Sequence, residues 1–409
     1  MNALSSRMMF PKFYAAPIFL ALCLKSGVDA FFEVNAVKYL YLFLLVFGVF
    51  FLRTGRGFAY GKSKGSGDLQ SVLWVQVVVY FTFLTLLMIF QNGSPQMIFK
   101  IVSPFIFFGL VVAAADRSLP FAIAIGAVVN IVANGALLPF EYGWIYWGPV
   151  HTFKGFYMFK TDLSYSVTTS LLAFAAWNRY RLNPIYIGLA LLTVVEVVLA
   201  NSRLNYLTLV IVLVFVAVKN GAKPKTLLMY GGFLAILAAL ALTLYDSSKV
   251  LNFDMSNMEG FSQGRDKVIG ILLKYGLANY TPIEWLFGRG LYADLLIFME
   301  NVGGGQVYGS HNEYLYLIVT QGVVGTALHV WGWVLAYKIS RSVGVQPWTS
   351  GLAGVAFLVY MVQGATTSMS IFALKTWPVM TILMLIFASK YEAESQAETP
   401  KPSAGPYAV

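Results

Sequence analysis

Stretches of about twenty apolar residues recur along nearly the whole chain, as in Ser71 to Phe90, SVLWVQVVVYFTFLTLLMIF. A helix of that length crosses the roughly 30 Å hydrocarbon core of a bilayer. Backbone placed in lipid must satisfy its own hydrogen bonds, which leaves helices or closed barrels. Such windows centre on about residues 18, 44, 80, 106, 128, 169, 192, 211, 236, 324, 358 and 380. The expectation is an all-α polytopic membrane protein with about twelve transmembrane helices.

Composition agrees: 58% of the residues are hydrophobic and 11% charged, against about 25% charged in soluble domains. The single cysteine, Cys23, lies in an apolar run, so no intramolecular disulfide can form. Arg7 and Lys12 precede the first apolar segment, but no small-residue cleavage site follows, so the segment reads as a retained first span. The net charge of +10 is informative by position. Arg53, Arg56, Lys62 and Lys64, then Arg117, Arg179 and Arg181, Lys219, Lys223 and Lys225, and Lys338 and Arg341 fall in alternate loops. The positive-inside rule then puts both termini in the cytoplasm. Basic residues in short loops, with no nucleic-acid motif, give no reason to expect nucleic acid as a partner. No internal repeat is visible, which weighs against inverted-repeat transporters.

The expected organisation is residues 1–245 as spans one to nine, 246–310 as an outer helical loop, 311–390 as spans ten to twelve, and 391–409 as a disordered cytoplasmic tail rich in Ala, Glu, Pro and Ser. In the loop, Ser262 should cap a helix running to about Tyr275 and ended by Gly276. Thr281 and Pro282 should open a second, stopping at Gly288-Arg289-Gly290, and a third should cover about 291–301 before Gly303-Gly304-Gly305. A shorter outer loop, about 140–160, is rich in aromatics suited to a membrane interface, and its His151, Lys154 and Lys160 could touch an anionic ligand.

Polar residues gather at the lip of the tenth span, in GSHNEYLYLIVTQGVVG from Gly309 to Gly325. Ser310 and Glu313 have capping-box spacing, so a helix should start at about His311. There the positive end of the helix dipole favours the neutral imidazole, which suits a general base. The alternative is that His311 marks the membrane edge. Arg203, in the first turn after Ser202, opposes the helix dipole unless an anion sits there. Arg265 repeats the pattern at a loop-helix start, and Arg289 lies between glycines that let a ligand approach. Arginine suits bidentate phosphate recognition. Glu196 and Lys375 fall inside expected spans and need polar surroundings, while His329 reads as packing or an interhelical hydrogen bond. No HExxH and no outer DxD pair is present, so metal-independent chemistry without a cofactor is expected.

His311, Asn312, nine residues, Gly322, two residues and Gly325 resemble the signature of the bacterial O-antigen ligases. The resemblance implies a GT-C-like, inverting membrane glycosyltransferase in the bacterial inner membrane with its site facing the periplasm. Its donor would be a glycan on undecaprenyl pyrophosphate and its acceptor the lipid A core oligosaccharide, in lipopolysaccharide biosynthesis. It implies His311 as base with Arg203 and Arg265 on the pyrophosphate, and Arg289, Asn312, Lys375 and Lys154 as further substrate contacts. The alternatives are an O-antigen or exopolysaccharide polymerase of the same superfamily and, more distantly, a membrane transporter.

Overall fold

The computed structural model describes residues 10–30, 43–44, 47–48, 66–91, 93–147, 150–221, 223, 265–302, 309–342, 346–365 and 373–398. Their main elements are α1 (Ala16–Ala30), α2 (Ser66–Phe90), α3 (Pro95–Ala114), α4 (Leu119–Gly135), β1 (Trp144–Trp147), β2 (Val150–Phe153), α5 (Lys160–Trp177), α6 (Pro184–Leu199) and α7 (Arg203–Lys219). There follow α8 (Arg265–Ile271), α9 (Pro282–Phe287), α10 (Ala293–Val302), α11 (Glu313–Arg341), α12 (Leu352–Gly364) and α13 (Ala373–Glu398).

Among the described residues three helices, not twelve, are long and apolar enough to cross a membrane: Asp68–Phe90 in α2, α3 and α11. Helices do form near most of the other expected centres, but their described parts do not combine that length with that apolarity. The 16 residues of α6 reach only about 24 Å. The 18-residue α5 carries Lys160, Asp162, Ser164, Ser166, Thr168, Thr169 and Ser170. The windows centred on 44 and 236 lie largely or wholly outside the described residues. The twelve-span GT-C-like fold is thus corrected to a helical bundle with three candidate spans and a small hairpin. The twelve-pass inner-membrane topology is corrected with it.

The candidate span α2 turns Val72, Val75, Val78, Val79, Phe81, Leu86, Ile89 and Phe90 outward. So continuous an apolar face calls for lipid or protein against it. The inner helix is α5, almost wholly buried between α4, α6, α7 and α13. Its hydroxyls are accommodated locally, because Ser164, Thr168 and Thr169 donate to the carbonyls of Lys160, Ser164 and Tyr165 one turn back. Asn130 of α4 donates to Ser166 and Ser170 at 2.9 Å each and fixes the rotation of the pair. The hairpin pairs β1 with β2 antiparallel, Tyr146 opposite His151. It is anchored by Phe156 N–H on Asn134 Oδ1 at 3.0 Å and by Trp144 Nε1 on the Leu138 carbonyl at 3.1 Å.

A second, smaller core joins α8, the π-helical turn Leu272–Gly276, α10 and the start of α11 through Val268, Leu272, Tyr280, Ala293, Ile297, Phe298 and Val319. Ser262 lies outside the described residues.

Candidate functional site

The helix expected to start at the Ser310–Glu313 capping box starts instead under Asn312, whose Oδ1 accepts from Leu315 N–H at 3.0 Å. Tertiary partners displace the local motif. Ser310 N–H donates to Asp294 Oδ2 at 2.9 Å, and Glu313 is buried, with Tyr360 OH donating to its Oε1 at 3.4 Å. Burial pushes the Asp294 carboxyl above its ordinary range, opposed by the hydrogen bonds from Ser310 and Leu295. His311 sits just outside the helix at φ +47°, a left-handed conformation that a side chain rarely adopts.

The starts of α11 and α7 are joined through α12. Asn312 Nδ2 donates to the Ala365 carbonyl at 3.0 Å, and Gln363 Nε2 donates to Asn205 Oδ1. Asn205 Nδ2 in turn donates to Thr161 O at 3.2 Å, and Lys160 Nζ to Asn201 O at 3.3 Å. The first turns of α5, α7 and α11 are therefore linked around the C-terminal end of α12. The start of α3 joins them, since Tyr292 OH donates to its capping Ser94 at 3.0 Å and the neighbouring loop is tied to α11. Four helices thus start at this end and direct the positive ends of their dipoles there, with Asp162 and Glu313 as acids in the first turns of α5 and α11.

That tie is the most unusual backbone feature here. Inside α11 Gly322 has φ +63° and ψ −168°, which breaks the helix. The break turns the carbonyls of Val319 and Thr320 towards Gly288-Arg289-Gly290. Arg289 N–H donates to Val319 O and Gly290 N–H to Thr320 O, both at 3.2 Å, and Tyr280 OH donates to Val319 O at 2.8 Å. Broken backbone within a span is tolerated only where protein satisfies it in this way.

Arg289 is thereby presented on a pinned loop. Its Nε pairs with Glu284 Oε1 at 2.8 Å, its guanidinium lies 5.5 Å from the Tyr280 ring centre, and its side chain remains 40% exposed. Glu284 is held in turn by a capping box: Thr281 N–H and Oγ1 donate to its Oε2 at 2.7 and 2.8 Å. These hydrogen bonds, then the charge of Arg289, hold the Glu284 carboxyl below its ordinary range.

The other expected residues lie on other elements. Arg203 opens α7, Arg265 opens α8 and Lys375 is the third residue of α13; for these three the backbone alone is described. Lys154 follows β2, with Nζ 4.8 Å from the Tyr142 ring centre, and burial lowers its pKa. His151 is stacked between Trp144 and Tyr146, with Nε2 3.2 Å from Glu141 Oε1.

Beneath the helix break runs a directional hydrogen-bond chain that includes the interhelical hydrogen bond expected of His329. Trp333 Nε1 donates to His329 Nε2 at 3.1 Å, so the ring proton belongs on Nδ1, 3.2 Å from Tyr80 OH. Tyr80 OH then donates to Gln321 Oε1 at 2.7 Å, leaving the buried Gln321 amide nitrogen without a partner. Glu313 Oε1 stands 3.9 Å from His329 Nε2.

The glycosyltransferase reading, carried by the resemblance of the His311 to Gly325 segment, implied a twelve-span architecture that the described residues do not have, and it is corrected on that ground. That covers the membrane-embedded transferase in its ligase and polymerase forms. What the described residues offer is a bundle end where four helices start, with Arg289 presented on a pinned loop. No protein-family model matches the chain, and comparison with curated proteins gives no match.

Proposed function

We propose that the protein binds the phosphate or pyrophosphate headgroup of a lipid-linked ligand at the end of the bundle where α3, α5, α7 and α11 begin. The observation that carries this reading is the Gly288-Arg289-Gly290 loop, pinned to the broken α11 with Arg289 preset by Glu284. Such a preset fork suits a phosphate oxygen pair and loses little freedom on binding. Helix starts add backbone donors and positive potential. Arg203, Arg265, His311, Asn312, Lys154 and Lys375 are the further contacts of this proposal. The lipid part is supported by three helices long and apolar enough to cross a membrane. The resemblance of the His311 to Gly325 segment to O-antigen ligases bears only on ligand class, since that family handles lipid pyrophosphates.

The test is binding by the full chain in nanodiscs, comparing undecaprenyl pyrophosphate with undecaprenol. The pyrophosphate lipid should bind more tightly, and Arg289→Ala should weaken it by about tenfold, the 1.4 kcal/mol scale of a charge-assisted hydrogen bond. Equal binding of the two lipids would sink the reading.

A further inference from the structure

Glu196 lies in the last turn and a half of α6, fully buried, and neither carboxylate oxygen has a hydrogen-bond partner. Thr193, one turn earlier on the same buried face, is equally buried and its hydroxyl also lacks a partner. The elements packed against α6 are α4, α5, α7 and β2. Their charged or titratable side chains are Lys160, Asp162 and Tyr165 on α5, Arg203, Tyr206 and Lys219 on α7, and His151 on β2; α4 has none. Lys160 directs its Nζ to Asn201 O, and Tyr206 directs its OH to Val198 O. Among the described side chains, none hydrogen-bonds to Glu196.

A carboxylate placed there would be a buried ion with no donor among the described side chains, which costs far more than burying a neutral acid. We infer that Glu196 is a buried proton-binding site, a neutral carboxylic acid beside the Thr193 hydroxyl, and a modification site for apolar carbodiimides. The Glu196 proton would move to a carbodiimide nitrogen while a carboxylate oxygen bonds to the central carbon. Shift of the acyl group from oxygen to nitrogen then gives a stable N-acylurea, with no leaving group. Water-soluble carbodiimides, which do not enter apolar packing, should leave Glu196 untouched. The same geometry makes ionisation and opening of the α6 interface one event, because a charge at Glu196 can be solvated only if α6 parts from its neighbours.

The experiment treats the full-length protein in detergent at neutral pH with dicyclohexylcarbodiimide or with a water-soluble carbodiimide, followed by peptide mass mapping. The expected result is one adduct on Glu196 from the apolar reagent only, falling as pH is raised and absent in Glu196→Gln. Because glutamine mimics the neutral acid, Glu196→Gln should also keep or raise the wild-type melting temperature. An unmodified Glu196 would overturn the inference on the wild-type protein alone. So would a melting temperature that rises with sodium but not with choline and loses that rise in Glu196→Gln, which would assign a monovalent cation instead.

Discussion

Gly288 and Gly322 meet backbone to backbone: a Cβ built on Gly322 would fall 2.5 Å from the Gly288 nitrogen and 2.5 Å from the Leu286 carbonyl oxygen. Both glycines have positive φ, +75° and +63°. Space and conformation therefore exclude side chains together. Gly288→Ala and Gly322→Ala should each destabilise the fold by about 3 kcal/mol, as a clash combined with left-handed strain does. Gly354→Ala is the control, since nothing lies within 4 Å of its Cβ position inside α12. It should be neutral or stabilising by up to about 1 kcal/mol. Denaturant melts of the three variants decide the matter; equal melts would mean that α9 does not dock on the break.

Asn312 holds two structures with one side chain, its oxygen capping α11 and its nitrogen reaching Ala365 O. Asn312→Asp keeps the cap and loses the reach, whereas Asn312→Ala loses both. The alanine variant should cost about 1 kcal/mol more than the aspartate variant, the usual worth of an N-cap. Thermal unfolding in the same detergent reads the difference, and an aspartate variant no better than alanine would contradict it.

Asp294 supplies the pH test. Its folded pKa is raised, so the folded state binds more protons than the unfolded one, and this group's contribution to stability falls as pH rises through the ordinary carboxylate range towards the folded value. Asparagine can still accept from Ser310 N–H without the burial penalty. Asp294→Asn should therefore melt higher than wild type at neutral pH, with the gain shrinking as pH is lowered. Asp294→Ala should melt lower than both. A gain independent of pH would show that the carboxyl is not the source.

Tyr80 links α2 to α11 through one hydroxyl. Tyr80→Phe leaves Gln321 with no hydrogen-bond partner for its side chain and removes the acceptor facing His329 Nδ1. A cost of about 2 kcal/mol is expected, the desolvation scale for orphaned buried polar groups. In a double-mutant cycle with His329→Leu the two losses should be less than additive. Strict additivity would break the chain into independent contacts.

What the sequence revealed depended on how local each feature is. The helix expected to open at Thr281 and Pro282 forms, because the cap Thr281 makes with Glu284 is complete within four residues. The same spacing at Ser310 and Glu313 fails, because Asp294 takes the Ser310 N–H and Tyr360 reaches Glu313 from other parts of the chain. Counting spans failed for a related reason. Apolar content registers that α6 is helical, but not that it stops after Leu199, too short for a bilayer. In the candidate site the arginines stood out as misplaced charges, whereas Glu284 as Arg289's partner required only the helical i to i+5 reach around a glycine turn and could have been anticipated. The pairs Asn205–Gln363 and Asn312–Ala365 join residues too distant in sequence for any local pattern to announce.

The break at Gly322 also bears on how this protein can be divided. The carbonyls that α11 gives up there are completed by the backbone of Arg289 and Gly290, so the segment before α10 is part of that helix's own hydrogen bonding. Neither piece is a portable module. Transplanting α11 into another bundle would carry bare carbonyls with it, and excising the 280–290 segment would leave the same defect behind; any working variant must exchange the two together.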